Sequence, residues 1–260
     1  MDKILSLNGV HFQYSPESPA VLADLSLDIP AGKITAIMGP NGTGKTTLLY
    51  LLLGLLKPSQ GSVHVAGKPH REYSKQALSQ MIGLVPQFEN VPFNFSVFEY
   101  VLLGRSPYLK PFQLPGDEDL RITEGALDQA GINKLADKPV TEISGGERQL
   151  VNISRALAQQ TRILLLDEPT AHLDLENQSR ILSLLKKMSV GGITSVLTTH
   201  DPNAAIYAAD RFVLMDQGNI AAQGSLAEVI TPENLSMIYR TPIRVEKTNG
   251  YTMVVMDRHK

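Results

Sequence analysis

The sequence predicts an α/β fold with a mainly parallel sheet that is flanked by helices and interrupted by a helical segment. Three observations support this prediction. The short apolar run 34–38 leads into a glycine-rich loop and then a helical pattern. A second apolar run, 163–166, ends in two acidic residues. Between the two, from residue 88 to 157, aromatic side chains are frequent and strand patterns stop.

The first part of the chain alternates strand and helix patterns. Apolar residues alternate or cluster as they do in strands, and turn residues separate the runs. After Val85 the chain turns at Pro86, which cannot donate a ladder hydrogen bond. We predict strands at 5–12, 25–29, 34–38, 63–65 and 82–85, and a helix at 46–56.

The second part begins with helices and returns to strands. Leu150, Ile153 and Leu157 lie on one face of a helical pattern. We predict helices at 96–103, 120–130, 147–158 and 175–188, strands at 163–166 and 193–197, a hairpin at 211–222 turning at Asp216-Gln217-Gly218, and two short helical runs in the tail, one at 232–240. These elements indicate one domain over 1–260, with a core formed by 1–87 and 158–260 and a helical insert at 88–157.

Composition excludes several kinds of site. The chain of 260 residues has no cysteine, so disulfides, thiolate metal sites and cysteine nucleophiles are excluded. A formal charge of -2 gives no general attraction to nucleic acid. The first residues do not resemble a signal peptide, and the longest apolar run, near 48–56, is far shorter than the ~20 residues of a membrane span. We expect a soluble, intracellular protein that can dock on a membrane protein.

A phosphate-binding loop follows the predicted strand 34–38. Its glycines let successive N–H groups converge on phosphate oxygens, and the N-terminus of the next helix adds partial positive charge. The lysine can reach β- and γ-phosphates, and the threonine hydroxyl after it can bind Mg²⁺. We expect every residue of the loop and of the helix start to bind ATP. These residues are Gly39, Pro40, Asn41, Gly42, Thr43, Gly44, Lys45, Thr46 and Thr47.

Two carboxylates end the second buried strand. Ligands bind at the carboxyl ends of strands in an open α/β sheet, which is where Asp167 and Glu168 should lie. We expect Asp167 in the Mg²⁺ shell through a water molecule, and Glu168 as the general base or the residue that orients the attacking water. An acidic pair that only caps the next turn is the alternative.

The order of these motifs resembles that of the ATP-binding-cassette ATPases. The series is phosphate loop, Gln87 in "VPQ", "ISGGE" at 143–147, the pair Asp167-Glu168, Asp174 in "TAHLD" and His200 in "TTHD". The resemblance covers nearly the whole chain. It implies a RecA-like core with an N-terminal antiparallel β subdomain and an inserted α-helical subdomain.

The resemblance also implies roles for single residues. Tyr14 stacks on adenine, although a half-buried strand tyrosine is the alternative. Gln87 contacts Mg²⁺ and senses the transmembrane partner, and His200 hydrogen-bonds the γ-phosphate; an ordinary loop residue and a structural histidine are the alternatives. Asp174 crosses a dimer interface. The signature residues contact the γ-phosphate of ATP held by the opposite subunit, and they are Ser144, Gly145 and Gly146.

The resemblance implies that two such chains meet head to tail around two ATP molecules. The expected partners are two separate permease subunits and an extracytoplasmic binding protein. The ATPase itself is expected at the cytoplasmic face of the membrane. The stretch "SVFEYVLLGRSPY", together with the tail at 231–245, is similar to importers of iron–siderophore, haem, cobalamin and molybdate or tungstate. The aromatic residues of the insert either line a groove for a permease helix or fill its core, and they are Phe93, Phe95, Phe98 and Tyr100.

Two other functions remain open at this point. Cytosolic cassette ATPases that assist iron–sulfur cluster assembly have similar length and an "SGGE" signature. An ATP-dependent clamp without hydrolysis is disfavoured by Glu168, since degenerate sites often lose that carboxylate. Tyr14 would stack on guanine as well as adenine, so the preference for ATP rests on the resemblance.

Glu147 is unusual beside an anion site, where glutamine is more common in the family. The spacing Ser144-x-x-Glu147 predicts a capping box, with Ser144 as N-cap and Glu147 reaching back to its backbone N–H. A carboxylate in the first turn also suits the helix dipole. We therefore predict a structural role for Glu147. We expect structural or solvated side chains, without a ligand role, at His11, His64, His70 and His259, and no catalytic role for His172.

Overall fold

The computed structural model of the chain describes residues 2–87 and 94–257. Within these ranges the strands are β1 (Lys3–Phe12), β2 (Leu22–Pro30), β3 (Ile34–Met38), β4 (Gln60–Val65), β5 (Lys68–Pro69), β6 (Ile82–Val85), β7 (Ile163–Asp167), β8 (Thr194–Thr199), β9 (Arg211–Asp216), β10 (Asn219–Gly224), β11 (Ile243–Thr248) and β12 (Tyr251–Met256). The α-helices are α1 (Lys45–Leu53), α2 (Lys75–Met81), α3 (Val97–Leu102), α4 (Asp117–Ala130), α5 (Gly145–Ala158), α6 (Leu175–Val190), α7 (Pro202–Ala208), α8 (Leu226–Val229) and α9 (Pro232–Tyr239).

The central sheet has six strands in the order β10-β9-β3-β8-β7-β6. Five are parallel, and β10 pairs antiparallel with β9 at one edge. All residues of β3 and β7 are buried, as expected of strands covered on both faces. In register, Met38 pairs with Thr199 and Asp167 with Thr198, so the carboxyl ends of β3, β7 and β8 lie side by side.

An antiparallel sheet formed by β2, β1, β4 and β5 covers one side of the central sheet. Its inward residues share a hydrophobic core with α1, whose leucines at 48, 49, 51 and 52 are fully buried. The mainly parallel core and the N-terminal antiparallel part that the sequence predicted are both confirmed.

The inserted helices α3, α4 and α5 follow β6 and precede β7. Tyr100 is buried, and its hydroxyl donates to Asn152 Oδ1 at 3.2 Å, so it belongs to the core of this part. Phe95 and Phe98 are half-buried against the same core, and Phe98 also lines an open groove. Phe93 lies outside the described residues. We propose 88–157 as a separate subdomain, as the sequence predicted.

Arg105, in the importer-like stretch, links the inserted helices to one another. Its Nε donates to Asp119 Oδ1 at 2.8 Å, and Nη1 donates to the carbonyl oxygen of Ala158 at 2.9 Å. These bonds lie between the start of α4 and the end of α5. The guanidinium hydrogen bond also holds the pKa of Asp119 below its ordinary value.

Several boundaries differ from the predicted ones. Helix α1 ends at Leu53, not at 56, because Gly54 adopts a left-handed conformation (φ 81°) that stops the helix. The sequence analysis missed α2 and α7, which have only seven residues each. It also missed the hairpin β11–β12, which turns at Asn249-Gly250 with positive φ at both residues. The other predicted strands and helices are present, with ends shifted by a few residues.

The tail contains two short helices, α8 and α9, of which α9 lies at the predicted position, and the predicted hairpin turns between Asp216 and Asn219. No helix in the described part of the chain is long and apolar enough to cross a membrane.

Candidate functional site

The phosphate loop lies between β3 and α1, at the edge where the parallel strands end. Gly42 and Gly44 have φ of 81° and 96°, which suits glycine and lets the loop fold back over the start of α1. Gly39 is required for a different reason as well. A Cβ at Gly39 would lie 2.4 Å from the carbonyl oxygen of Met215, so the loop passes directly over β9. The Thr43 hydroxyl donates to the carbonyl oxygen of Pro40 and closes the turn.

Lys45 is buried inside this loop. Its ammonium donates to the carbonyl oxygens of Gly39 at 2.8 Å and Pro40 at 2.9 Å. It also lies 3.9 Å from Glu168 Oε1. Burial lowers the pKa of Lys45, and the Glu168 and Asp167 charges oppose that shift. The loop thus holds the Lys45 side chain at its centre, bound by two of the loop's own carbonyl oxygens.

Asp167 and Thr46 form an oxygen cluster beside the loop. The Thr46 hydroxyl donates to Asp167 Oδ2 at 2.8 Å, although the two residues come from α1 and β7. Asp167 Oδ1 accepts from the Thr198 hydroxyl at 2.6 Å. A hydroxyl and a carboxylate are the hard oxygen donors that Mg²⁺ prefers, so this pair fits the predicted ion.

Glu168 lies where three elements meet. Its Oε2 accepts from Gln87 Nε2 at 3.3 Å and lies 3.0 Å from His200 Nδ1. The backbone of Glu168 has φ 46°, which is uncommon for a residue with a side chain. The Thr198 hydroxyl accepts a hydrogen bond from the Glu168 backbone N–H at 3.0 Å and supports this turn. Gln87, Glu168 and His200 therefore meet, although they are far apart in the sequence.

An open cavity of about 550 Å³ separates the loop from these side chains. Its size suits a nucleotide. From the loop side it is lined by Asn41, Gly42, Gly44, Lys45, Thr46 and Thr47. From the other side it is lined by Gln87, Glu168 and His200. Gly39, Pro40 and Thr43 shape the loop but are not among the lining residues that the structure describes.

The sequence analysis missed two residues of this region. Thr198 binds both Asp167 and the Glu168 backbone; its only sequence signal is a hydroxyl in a buried strand, two residues before His200. His172, to which we gave no catalytic role, lines the cavity and has φ 61°. The position of both residues at this site follows from the tertiary structure, and no sequence spacing indicates it.

Tyr14 lies at the rim of the cavity. Its ring is 62% exposed and packs edge-on against Phe12, with centroids 5.0 Å apart. Its hydroxyl lies 3.0 Å from Thr47 Oγ1, and Thr47 lines the cavity. An exposed aromatic ring is thus held next to the start of α1.

The residues Ser144, Gly145 and Gly146 lie at the start of α5. The Ser144 side chain accepts from the Glu147 N–H at 3.3 Å, and Glu147 Oε2 accepts from the Ser144 N–H at 2.8 Å. The predicted capping box is therefore confirmed. These bonds hold the pKa of Glu147 below its ordinary value. Asp174 is the N-cap of α6, and its Oδ1 accepts from the Asn177 N–H at 2.8 Å.

Neither Asp174 nor the signature residues 144–146 are among the described residues that line the cavity of their own chain. Ser144, Gly145 and Asp174 are exposed at the surface. Their polar groups therefore do not contribute to the described lining of this cavity. The geometry within one chain agrees with a site shared between two.

The remaining histidines have local surroundings. His64 Nδ1 lies 3.4 Å from the Asn8 amide, and burial lowers the pKa of His70 to about 4. The structure describes no group of three acidic or histidine side chains that could hold a metal ion. His259 lies outside the described residues.

A profile of the ABC transporter family matches residues 22–171, which is more than half of the chain. The chain belongs to the ABC transporter family. It is an ABC ATPase, as its motifs predicted. Among curated relatives, a molybdate import ATP-binding protein of Haemophilus influenzae is 38% identical over 94% of this chain and 90% of its own. An iron(3+)-hydroxamate import ATP-binding protein of Bacillus subtilis is 37% identical over 85% of this ABC ATPase and 82% of its own length.

Solved structures agree with the ABC fold. An ABC transporter of metal-chelate type in an inward-facing conformation has a chain that is 36% identical, with a TM-score of 0.87. The match covers 99% of this ABC ATPase and 98% of that chain. The dimeric structure of a bacterial ABC transporter cassette is 30% identical, with a TM-score of 0.76, over 86% and 99% of the two chains. The predicted resemblance to importer ATPases is confirmed.

Proposed function

We propose that this ABC ATPase drives the import of a metal ion, a metal chelate or a metal oxyanion through separate transmembrane subunits. The relatives described above are named for import of molybdate and of iron(3+)-hydroxamate, and a further relative from Rhodococcus jostii is named for hemin import. The single observation that carries the enzymatic part is the position of Glu168. Its carboxylate lies between Lys45, Gln87 and His200 at the wall of the cavity.

In this proposal the cavity holds ATP with its phosphates in the loop. The backbone N–H groups of the loop and the Lys45 ammonium bind the phosphate oxygens, and Tyr14 stacks on the adenine. Thr46, Asp167 and Gln87 would hold Mg²⁺, Asp167 through water. The ion would neutralise charge on the β- and γ-phosphates. The 2.8 Å contact between Thr46 and Asp167 supports this part of the proposal.

Hydrolysis requires a water molecule to attack the γ-phosphorus. Glu168 orients that water and takes its proton, or only orients it. His200 hydrogen-bonds the γ-phosphate, and its Nδ1 lies 3.0 Å from the Glu168 carboxylate, which fixes the orientation of the imidazole. Gln87 donates to the same carboxylate, so a displacement of the Gln87 side chain would change the position of Glu168.

We further propose that two copies close head to tail, with two ATP molecules between them. The exposed residues Ser144, Gly145 and Asp174, together with the backbone at Gly146, would then reach the ATP of the facing copy. The dimer would lie at the cytoplasmic face of the cell membrane, against two permease subunits, and those permease subunits would receive cargo from an extracytoplasmic binding protein. The shared site is supported by the position of residues 144–146 and Asp174, which are not among the described residues that line the cavity of their own chain.

The substitution Glu168→Gln tests the enzymatic part. It should keep ATP binding, lose at least about 100-fold in turnover and trap an ATP-bound dimer. Turnover, ATP affinity and sedimentation would be measured beside Glu233→Gln, an exposed acid at the start of α9. Unchanged hydrolysis in Glu168→Gln would remove Glu168 from its role.

Import is tested by purification from native membranes. Co-purification with a polytopic membrane protein, and metal in the associated binding protein, is the expected result. Recovery only of soluble iron–sulfur assembly proteins would contradict it and favour the cluster-assembly alternative. No feature of the described residues favours that alternative.

A further inference from the structure

Two neighbouring glycines at the start of α5 have different surroundings. A Cβ at Gly145 would meet no atom within 4 Å. A Cβ at Gly146 would lie 2.3 Å from Asn177 Nδ2 and 2.4 Å from Asn177 Cγ. The backbone at Gly146 is not in the left-handed region, so its conformation does not demand glycine. Within one chain, the three atoms nearest to a methyl group at position 146 all belong to the Asn177 side chain, and two of them lie too close to admit it.

Asn177 also binds the carboxylate of Asp174 at both oxygens. Its backbone N–H donates to Oδ1 at 2.8 Å, which is ordinary helix capping. Its side-chain amide donates to Oδ2 at 3.2 Å, which capping does not require. The Asp174 carboxylate is therefore fixed in direction by a residue that lies against Gly146.

We propose that Asn177 is a positioning residue that holds Gly146 and Asp174 in a fixed relation. The inference rests on the proposed function, in which both residues act on the ATP of the facing copy. Asn177 touches no nucleotide of its own chain, since it is not among the described residues that line the cavity. It determines whether α5 and the start of α6 approach the facing ATP as one rigid surface.

The amide has the right chemistry for this role. Its nitrogen donates to Asp174, and the amide lies against Gly146, which has no side chain and leaves room for it. An aspartate at position 177 would keep the shape but place a second carboxylate beside Asp174. An alanine would remove both the donor and the atoms that lie nearest to Gly146. The two substitutions therefore separate the hydrogen bond from the packing.

The test is a set of substitutions at 145, 146 and 177. Gly146→Ala should lower ATPase turnover about 100-fold, because its methyl group displaces the two helices. Asn177→Ala should lower turnover about tenfold. The double variant should regain turnover near that of Asn177→Ala, because the two amide atoms nearest to the new methyl group are removed and Cβ of residue 177 lies 3.0 Å away. Gly145→Ala is the matched control, because a methyl group there meets no atom of its own chain within 4 Å. Any turnover that Gly145→Ala loses should therefore not be recovered when Asn177→Ala is added.

A second measurement separates positioning from a general loss of structure. Affinity for a fluorescent ATP analogue, measured on the monomer, should stay within about twofold of wild type in Asn177→Ala and Asn177→Asp. ATP-dependent dimerisation, measured by sedimentation with Glu168→Gln present, should require about tenfold more ATP in both. Circular dichroism and melting temperature would show that the variants are folded.

The outcomes distinguish this inference from the proposed function. If Glu168→Gln alone does not dimerise with ATP, the shared site itself is wrong. If it dimerises, and Asn177→Ala and Asn177→Asp leave dimerisation and turnover unchanged, Asn177 positions nothing. Equal loss from Gly146→Ala with and without Asn177→Ala would show that the glycine is required by the facing molecule and not by Asn177.

Discussion

Glu147 Oε2 accepts a hydrogen bond from the Ser144 backbone N–H at 2.8 Å, and Ser144 Oγ accepts one from the Glu147 N–H at 3.3 Å. The carboxylate is therefore turned toward its own helix. The start of α5, which we propose to meet the phosphate of a facing molecule, is shaped by an acid that does not itself point at the anion. The Glu147 carboxylate, which is unusual next to a proposed anion site, is therefore part of a helix cap.

Glu147→Gln should lower the free energy of unfolding by up to about 1 kcal/mol at pH 7, because the amide accepts a weaker hydrogen bond and loses the dipole term. The affinity for ATP should be nearly unchanged. Thermal unfolding and ATP titration would measure the two. A large gain in ATP affinity would show instead that Glu147 repels the phosphate.

The same carboxylate predicts a pH dependence. Its pKa in the folded protein lies below the ordinary value of 4.5, since the Ser144 hydrogen bonds favour the charged form. Its contribution is therefore fully present above about pH 4.5 and is lost as pH falls through the lower folded pKa. The difference in stability between wild type and Glu147→Gln should shrink over that interval.

Thr198→Val should impair hydrolysis more than nucleotide binding. The hydroxyl binds Asp167 Oδ1 and the Glu168 N–H, so valine leaves a buried carboxylate and a buried N–H each short of a partner. We expect a loss of roughly 1–3 kcal/mol in stability and about a tenfold fall in turnover. Steady-state kinetics at varied Mg²⁺ and thermal unfolding would measure both.

A matched control lies on the same strand. Thr194 is also buried, but its hydroxyl accepts from the Gly32 N–H at 2.9 Å, at the opposite end of β8. Thr194→Val should lose similar stability and keep its turnover. Equal turnover in the two variants would argue against a role for Thr198 at the catalytic carboxylates.

Tyr14 offers a prediction on nucleotide binding. If its ring stacks on the base, Tyr14→Phe should keep ATP affinity within about twofold, although it loses the contact with Thr47 Oγ1. Tyr14→Ala should weaken binding by about tenfold or more, since stacking on a base contributes roughly 1–3 kcal/mol. Calorimetric titration with ATP and GTP would check this. Equal affinity in all three proteins would leave Tyr14 as a structural residue of the strand end.

Local patterns predicted most of the fold because they depend on neighbours in the chain. Buried strands such as β3 and β7 are recognisable as apolar runs, and the glycines of the phosphate loop are recognisable from their spacing. The elements that were missed are short. Helix α7 has seven residues and is stabilised by its Asp201 cap and by packing, and among the described strands β11 and β12 pair only with each other. Such elements carry weak periodic signals.

The sequence by itself determined the individual motifs, the helix cap at Glu147 and the turn of the phosphate loop. Each of these depends on residues that lie within a few positions of one another. Only the tertiary structure decided that Thr198 supports Asp167 and Glu168, and that Asn177 lies against Gly146. These contacts join residues some 30 positions apart. No local spacing encodes them, because they arise from the register of parallel strands and from the packing of α5 beside α6.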